Sequence, residues 1–232
     1  MEKTAPVTFQ KGIFVFPNFQ PAALAVFSSR EFDAAKDLPF FLKSVGIDSH
    51  PFCTLRQVHG DQIVTVSSKE NAQIQEADAI ATDERNLSIL IRTADCIPVF
   101  FLDAARPAIA LVHAGWRGVQ KKIIQKTIGV LKTRYGSNPA KLQVAFGPGI
   151  RKCCYEVGDE FLEYFPRFVQ KKKGKNYFDL TEAAIHQLEE AGISRSAVTD
   201  SRLCTACSTG QFFSARREGQ NTGRLLSGLM LK

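Results

Sequence analysis

The chain has 232 residues, a mass of 25.7 kDa and a formal net charge of +7, with 44% hydrophobic and 23% charged residues. A chain of this length buries enough apolar surface to be stable without disulfide bonds. The composition is that of an ordinary globular protein and excludes disordered and fibrous classes. We therefore expect one domain that spans residues 1–232.

The length of the apolar runs excludes a membrane-spanning helix, because a long run such as Ile97–Leu102 reaches only the size of a strand. Residues Met1–Phe19 lack the continuous apolar region of a signal peptide, so we expect a cytoplasmic protein. The basic residues are scattered, without the interleaved aromatic residues typical of a nucleic-acid surface. The densest basic cluster, Lys171–Lys175, is typical of an exposed loop. A basic surface instead favours small anionic partners such as phosphate.

Runs of apolar and β-branched residues predict several short strands in the first half of the chain. These runs are Gly12–Phe16, Ala23–Phe27, Asp61–Ser67, Leu87–Ile91, Ile97–Leu102 and Ala108–Val112. The last run leads directly into the segment His113–Gly118, which we expect to form a turn from a strand into a helix.

Helical patterns dominate the second half of the chain. The segment Val119–Tyr135 places apolar residues on one face and lysines on much of the other, and Gly136 is a typical helix end. A strand is predicted over Leu142–Phe146, and two more helices over about Gly158–Phe168 and Thr181–Ala191. Strands and helices mix without strict alternation, which predicts an α/β fold and argues against a TIM barrel or a simple doubly wound sheet.

Three potential metal ligands lie beside the ends of predicted strands: His59, Cys96 and His113. Two imidazoles and one thiolate are a good set for zinc, because catalytic zinc has three protein ligands and keeps the fourth position for water or substrate. Water bound to such an ion has a pKa of about 7. The ligands are far apart in sequence, so only the tertiary fold can assemble the site. Taken alone, each residue is also compatible with a packing or surface role.

Seven sequence motifs follow one another between residue 57 and residue 219. They are Gln57–Gly60, Thr93–Pro98, His113–Gly118, Phe146–Ile150, Cys153–Gly158, Cys204–Cys207 and Phe212–Gly219. This ordered series closely resembles the YfiH family, which is also described as multicopper polyphenol oxidase (laccase) or as purine nucleoside phosphorylase-like.

The resemblance implies a four-layer α/β/β/α sandwich of mixed sheets, related to a group of cysteine hydrolases. It implies a zinc site formed by His59, Cys96 and His113, and a place for Gln57 among the substrate-binding residues. Members of the family are described as phosphorolysing adenosine, inosine and methylthioadenosine and as deaminating adenosine. The implied partners are a purine nucleoside and phosphate.

One segment departs from the family pattern. After a Ser/Thr-Arg pair, members usually carry Gly-Gly-Val-Ser and Ser-Leu-Asn-Leu stretches. Here Ser28–Arg30 is followed by Glu31–Lys36, and both stretches are missing. Because that loop is expected to form part of the pocket wall, substrate preference follows less directly from the resemblance than the metal site does.

Phosphorolysis requires an anion site, and arginine side chains suit phosphate. Arg117 lies where a predicted helix opens, and Arg217 and Arg224 lie in the C-terminal segment. We predict that they bind phosphate, with surface ion pairs as the alternative. Asp95 adjoins Cys96 and is predicted to act with Cys96 and His113 in catalysis, by orienting a ligand or moving a proton. The alternative for Asp95 is a turn residue.

Three other functions are compatible with the same residues. A metal-free cysteine hydrolase or deamidase would use Cys96 as the nucleophile and His113 as its base. Copper in place of zinc would give a polyphenol oxidase, but a true multicopper laccase is excluded because the chain has only four histidines. A zinc or nucleotide binder without catalytic activity is the third.

The remaining cysteines carry a weaker signal. Cys204 and Cys207 form a C-x-x-C motif that suits a second metal or a redox pair. With no second cysteine pair placed beside them, we expect two structural thiols. Cys153 and Cys154 are adjacent, which is poor geometry for a mutual disulfide, and we expect both to be packing residues.

Overall fold

The computed structural model describes residues 7–67 and 75–232, which contain fifteen β-strands and six α-helices. The strands are β1 (Thr8–Gln10), β2 (Ile13–Val15), β3 (Ala23–Ser28), β4 (Phe52–Thr54), β5 (Ile63–Thr65), β6 (Ala79–Thr82), β7 (Ser88–Thr93), β8 (Ile97–Asp103), β9 (Ala108–Ala114), β10 (Gln143–Phe146), β11 (Glu156–Val157), β12 (Val169–Lys172), β13 (Lys175–Phe178), β14 (Val198–Asp200) and β15 (Leu225–Leu231). The helices are α1 (Leu38–Ser44), α2 (Trp116–Gln120), α3 (Ile123–Tyr135), α4 (Glu160–Tyr164), α5 (Leu180–Glu190) and α6 (Ala215–Glu218).

Most strands belong to two six-stranded sheets. The first has the order β1-β2-β3-β15-β7-β4, and the second has the order β14-β10-β8-β9-β6-β5. Both are mixed: β4 pairs with β7 in parallel, as do β5 with β6 and β10 with β14, whereas the long central pairs are antiparallel. A small third sheet has the order β11-β13-β12.

The two large sheets pack face to face around an apolar core that includes Phe16, Phe27, Phe100 and Leu111. Helices α3 and α5 cover the outer face of the second sheet, and α1 covers the outer face of the first. This arrangement confirms the predicted four-layer α/β/β/α sandwich. Within the described part of the chain, every helix is too short or too polar to cross a bilayer.

The alternation of side chains along β8 and β9 explains why these strands are apolar throughout. In β8, Val99 and Phe101 face the helices, whereas Phe100 faces the first sheet. In β9, Leu111 faces the first sheet, and His113 continues the same alternation two residues later. The strand period thus places His113 at the rim of the space between the sheets.

Replacing Phe100 with alanine should destabilise the fold strongly. Phe100 is fully buried, and its ring meets that of Phe16 edge to face at 5.3 Å. The cavity left behind should lower the free energy of unfolding by about 3–5 kcal/mol, measured by denaturant titration. Phe9→Ala is the control, because Phe9 is 52% exposed and its loss should cost far less. Equal losses in the two variants would contradict this account of the core.

The predicted helix over Val119–Tyr135 is divided in two. Helix α2 ends at Gln120 and α3 begins at Ile123, because Lys122 adopts a left-handed conformation with φ of 65°. Val119 and Ile123 are both fully buried on either side of the break, so tertiary packing outweighs local helical propensity here. Gly136 ends α3 as predicted, with φ of 68°.

The helix predicted over Gly158–Phe168 is wrong for most of its length. Only Glu160–Tyr164 is helical, and β12 and β13 follow as an antiparallel hairpin. The exposed segment Lys171–Lys175, predicted as a loop, lies at the tip of this hairpin, where Lys173 and Gly174 have φ of 50° and 75°. Two consecutive positive φ values are typical of a tight hairpin turn. The strands were not predicted because their exposed lysines lack the alternation of apolar and polar residues that indicates a strand.

Candidate metal centre

Three chain segments meet at the rim between the two large sheets. His59 lies in the loop between β4 and β5, Cys96 in the turn between β7 and β8, and His113 near the end of β9. Their ligand atoms all lie within 4.8 Å of one another. The two imidazole rings stand at 80° to each other with centroids 4.9 Å apart. The fold therefore brings together the three residues that the sequence predicted as ligands.

The chemistry and space of this cluster fit a zinc ion. Two ring nitrogens and one sulfur are donors that zinc prefers. His113 is buried, Cys96 is half-buried and His59 is exposed, so the cluster is open on one side. Gly115 has no side chain, which leaves room beside the cluster. A Cβ at this position would lie 3.0 Å from the Cys96 Sγ and 3.6 Å from the His59 Cδ2.

A buried carboxylate, Asp78, fixes the backbone at His59 and the imidazole ring of His113. One oxygen, Oδ1, accepts hydrogen bonds from the backbone N–H of His59 at 3.0 Å and from the His113 Nδ1 at 2.8 Å. The other oxygen accepts from the backbone N–H groups of Val58 at 3.3 Å and Gly60 at 2.6 Å. With Nδ1 of His113 engaged, its Nε2 is left to act as a ligand atom.

Sequence reasoning missed Asp78, although a signal existed. Asp78 stands inside the otherwise apolar run Ala77–Ala81, all of which is buried. A buried carboxylate is costly unless it is paired and hydrogen-bonded, so a lone acidic residue in such a run indicates a special role.

The charges of the cluster stabilise a thiolate. Burial opposes ionisation of the Cys96 thiol, but the charge of His113 and hydrogen bonds with His113 and His59 outweigh it and lower the pKa of Cys96 to about 6. Burial also disfavours protonated His113, but the Cys96 thiolate and Asp78 raise the pKa of His113 to about 9. For Asp78, burial is outweighed by hydrogen bonds from His113 and Gly60, which lower its pKa. The thiolate is the form of cysteine that binds metals.

A cleft of about 330 Å³ opens over the cluster. Its described lining includes the three predicted ligands and the arginines Arg56, Arg92 and Arg224, and it includes no carboxylate. The volume lies within the range of small-ligand sites, and the wall is positively charged.

Gln57 and Arg224, both predicted to bind substrate, line this cleft. The Gln57 side-chain amide forms two hydrogen bonds with the backbone of Arg92, donating to its carbonyl at 2.7 Å and accepting from its N–H at 2.8 Å. The Arg224 guanidinium donates to backbone carbonyls that include Gln220 at 2.9 Å and Gly223 at 3.2 Å. Both side chains therefore also shape the wall of the cleft.

Arg117 and Arg217 lie outside the lining of the cleft. Arg117 is exposed, with its guanidinium 4.4 Å from the centre of the Trp116 ring. Arg217 donates to the carbonyls of Thr205 at 2.6 Å and Phe212 at 2.6 Å and to the Glu218 carboxylate at 2.9 Å. These contacts give Arg217 the geometry of a residue that fixes loops.

Asp95 is tied to two neighbouring loops and is not part of the described lining of the cleft. Its Oδ1 accepts from the Thr205 hydroxyl at 2.6 Å, and its Oδ2 accepts from the backbone N–H of Arg216 at 2.7 Å. Its carbonyl accepts from the N–H of Ile150, and its φ is 87°. This is the geometry of an anchoring turn residue, the alternative that the sequence left open.

Arg56 and Arg92 are cleft residues that sequence reasoning missed. Arg56 immediately precedes the Gln57–Gly60 motif and pairs with Glu76 at 3.1 Å, and Arg92 immediately precedes the Thr93–Pro98 motif. Adjacency to these motifs was the available signal.

The predictions for the remaining cysteines are wrong in two respects. Cys204 and Cys207 do have a second pair beside them, because Cys153 and Cys154 lie in the same cluster of four sulfurs. Cys153 is exposed and is therefore not a packing residue, whereas Cys154 is half-buried and packs against the core as predicted.

Comparisons with known proteins agree with the family resemblance that the sequence motifs indicate. The chain is 36% identical over 182 residues to a protein of Bacteroides thetaiotaomicron named purine nucleoside phosphorylase, covering 74% of this chain and 67% of that relative. It is 30% identical over 205 residues to a protein named adenosine deaminase RL5 from an unknown prokaryotic organism, covering 81% and 78% of the two chains.

A solved structure has the same fold. The hypothetical protein YfiH of Bacillus licheniformis superposes with a TM-score of 0.91 at 26% identity and covers 98% of this chain and 99% of its own. The model of the family described as multi-copper polyphenol oxidoreductase laccase matches residues 32–232. Because this match spans most of the sequence, the protein belongs to that family, the family of YfiH.

Proposed function

We propose that the protein is a zinc-dependent purine nucleoside phosphorylase that acts on adenosine, inosine and methylthioadenosine and that also deaminates adenosine. The observation that carries this proposal is the convergence of His59, Cys96 and His113 in a cleft of nucleoside-binding size with a positively charged wall. The names of the relatives support the same reaction classes.

The residues of the cluster would hold the ion and fix its surroundings. A zinc ion with three protein ligands supplies an open position at which water is acidified or a substrate oxygen is polarised. Asp78 orients His59 and His113, and Gly115 keeps the space beside the Cys96 sulfur clear.

The arginines of the cleft suit the co-substrate of phosphorolysis. In that reaction a phosphate oxygen bonds to C1′ of the ribose while the bond from C1′ to N9 breaks, and its electron pair leaves with the purine. The products are ribose 1-phosphate and the free base. Arg56, Arg92 and Arg224 line the cleft and can attract the phosphate and offset its charge.

Arg92→Gln should weaken phosphate binding selectively. Loss of one charge-assisted hydrogen bond is worth about 1.5–3 kcal/mol, so we expect the KM for phosphate to rise about tenfold or more, with the rate of deamination changed far less. Arg134→Gln removes the same charge from the exposed face of α3, outside the cleft, and is the control. An unchanged phosphate KM in Arg92→Gln would remove this arginine from the phosphate site.

The activity itself is tested by incubating the purified protein with adenosine or inosine, with and without phosphate. We expect ribose 1-phosphate and free base only when phosphate is present, and inosine from adenosine whether or not phosphate is added. Absence of both products, together with tight adenosine binding, would replace the proposal with a non-catalytic binder.

The hydrogen-bonded series Asp78–His113–Cys96 favours a second candidate, a metal-free cysteine hydrolase or deamidase. An orienting carboxylate, a base and a thiol are the elements of nucleophilic catalysis by cysteine. Turnover of amide or ester substrates by zinc-free protein would support it. Stoichiometric zinc in protein purified without added metal, with activity lost on chelation, would exclude it.

A further inference from the structure

Four cysteines from two loops form a second cluster. Cys153 and Cys154 lie between β10 and β11, and Cys204 and Cys207 lie between β14 and α6. All four sulfurs lie within 4.8 Å of one another. The Cys207 sulfur is 3.3 Å from that of Cys153 and 3.1 Å from that of Cys154. The cluster shares no residue with the His59–Cys96–His113 centre.

The backbone holds these two loops side by side. Gly149 pairs with Cys204 in a parallel bridge, with hydrogen bonds from Gly149 N–H to the Leu203 carbonyl and from Thr205 N–H to the Gly149 carbonyl. This pairing places Cys204 beside the loop that carries Cys153 and Cys154.

We propose that Cys153, Cys154, Cys204 and Cys207 bind a second zinc ion in a structural site. Four thiolates in a tetrahedron are a typical closed zinc set, with no position left for substrate. With Zn–S bonds of about 2.3 Å, tetrahedral ligand sulfurs lie roughly 3.8 Å apart. The sulfur separations in this cluster, from 3.1 Å to at most 4.8 Å, bracket that value.

A disulfide explains the cluster less well. Cys207 is near both Cys153 and Cys154 but can bond to only one of them, so a disulfide does not account for its contact with the other. Adjacent cysteines such as Cys153 and Cys154 rarely reach the geometry of a mutual disulfide. One cation uses all four sulfurs at once.

The proposed ion would stabilise the loop that supports the first centre. Thr205, next to Cys204, donates to Asp95, and Asp95 adjoins Cys96. Arg217 holds the same loop through the Thr205 and Ala206 carbonyls. The cysteine cluster thus connects through one hydrogen bond to the turn that carries a ligand of the first centre.

Metal analysis of protein purified under reducing conditions without chelator tests the proposal. We expect two zinc ions per chain in the wild type, one in Cys207→Ser, one in Cys96→Ala, and two in the control Cys53→Ala, because Cys53 is buried in β4 outside both clusters. Cys207 is exposed, so its replacement by serine removes a ligand with little effect on core packing.

Cobalt loading and mass measurement give independent readouts. Cobalt bound to Cys96→Ala should show the intense visible absorption of a tetrathiolate site, and this absorption should vanish when Cys207→Ser is added. A wild-type zinc content that is unchanged in Cys207→Ser would overturn the proposal, whether the wild type binds one ion or two. So would a mass spectrum of the wild type, unfolded without reductant, that shows a disulfide from Cys207 to Cys153 or Cys154.

Discussion

Cys96→Ala should abolish both phosphorolysis and deamination and release zinc from the His59–Cys96–His113 centre. Cys96 supplies the anionic ligand, and two imidazoles alone bind zinc far more weakly. Replacing a residue that hydrogen-bonds to a metal ligand lowers metal affinity or activity by about 10–100-fold. Loss of a ligand itself should cost more, so we expect rates more than about 100-fold below wild type. Product formation from inosine and adenosine, together with zinc content per chain, measures the effect.

Cys53→Ala is the matched control for this substitution. It removes a buried thiol from β4 without touching the centre, so zinc content and both activities should stay close to wild type. Circular dichroism establishes that both variants are folded. Full activity in folded Cys96→Ala would refute the assignment of the site.

Asp78→Asn should lower zinc affinity by about 10–100-fold, because the carboxylate that orients His59 and His113 is lost. Asparagine keeps one acceptor oxygen. Its NH₂ group, however, would face the backbone N–H groups of Val58 and Gly60, which donate to the carboxylate in the wild type. Zinc affinity is measured by competition with a chelator of known strength. We also expect a lower free energy of unfolding, since hydrogen bonds to a charged group contribute about 1.5–3 kcal/mol each.

Asp103→Asn separates orientation of ligands from a general effect on stability. Asp103 is also buried, and its Oδ1 accepts from the backbone N–H groups of Ala105 and Arg106, both at 3.0 Å. It lies at the far end of β8 from Cys96. Its substitution should cost stability and leave zinc affinity unchanged. Equal zinc affinities in Asp78→Asn and Asp103→Asn would contradict a positioning role for Asp78.

The elements that sequence predicted correctly are those in which local pattern and burial agree. Ile97–Leu102 and Ala108–Val112 are apolar on both faces because β8 and β9 have the first sheet on one side and helices on the other. The hairpin of β12 and β13 was missed because its exposed lysines carry no such pattern. The break at Lys122 depends on packing between distant segments, which no local window contains.

The candidate ligands could be predicted because each lies in a long, specific motif. The direction in which an arginine side chain points could not be predicted from its motif. Arg217 and Arg92 both adjoin or lie within such motifs and both donate to backbone carbonyls, yet of the two only Arg92 lines the cleft. The direction of each arginine side chain depends on which carbonyls and carboxylates the fold brings within reach of its guanidinium.

The cysteine cluster could not be recognised from spacing. About fifty residues separate the adjacent pair from the C-x-x-C pair, as the Cys153 to Cys207 interval of 54 shows. The contact depends on the parallel bridge between Gly149 and Cys204. Only a structure shows that the two loops run side by side.

Anomalous diffraction at the zinc absorption edge, from crystals of protein purified without added metal, would show directly whether His59, Cys96 and His113 share one ion. We expect one anomalous peak in contact with the Cys96 Sγ, the His113 Nε2 and a ring nitrogen of His59. We also expect a water or substrate atom to complete the coordination. No peak between these three side chains, or a peak there at the copper edge instead, would contradict the proposed zinc centre.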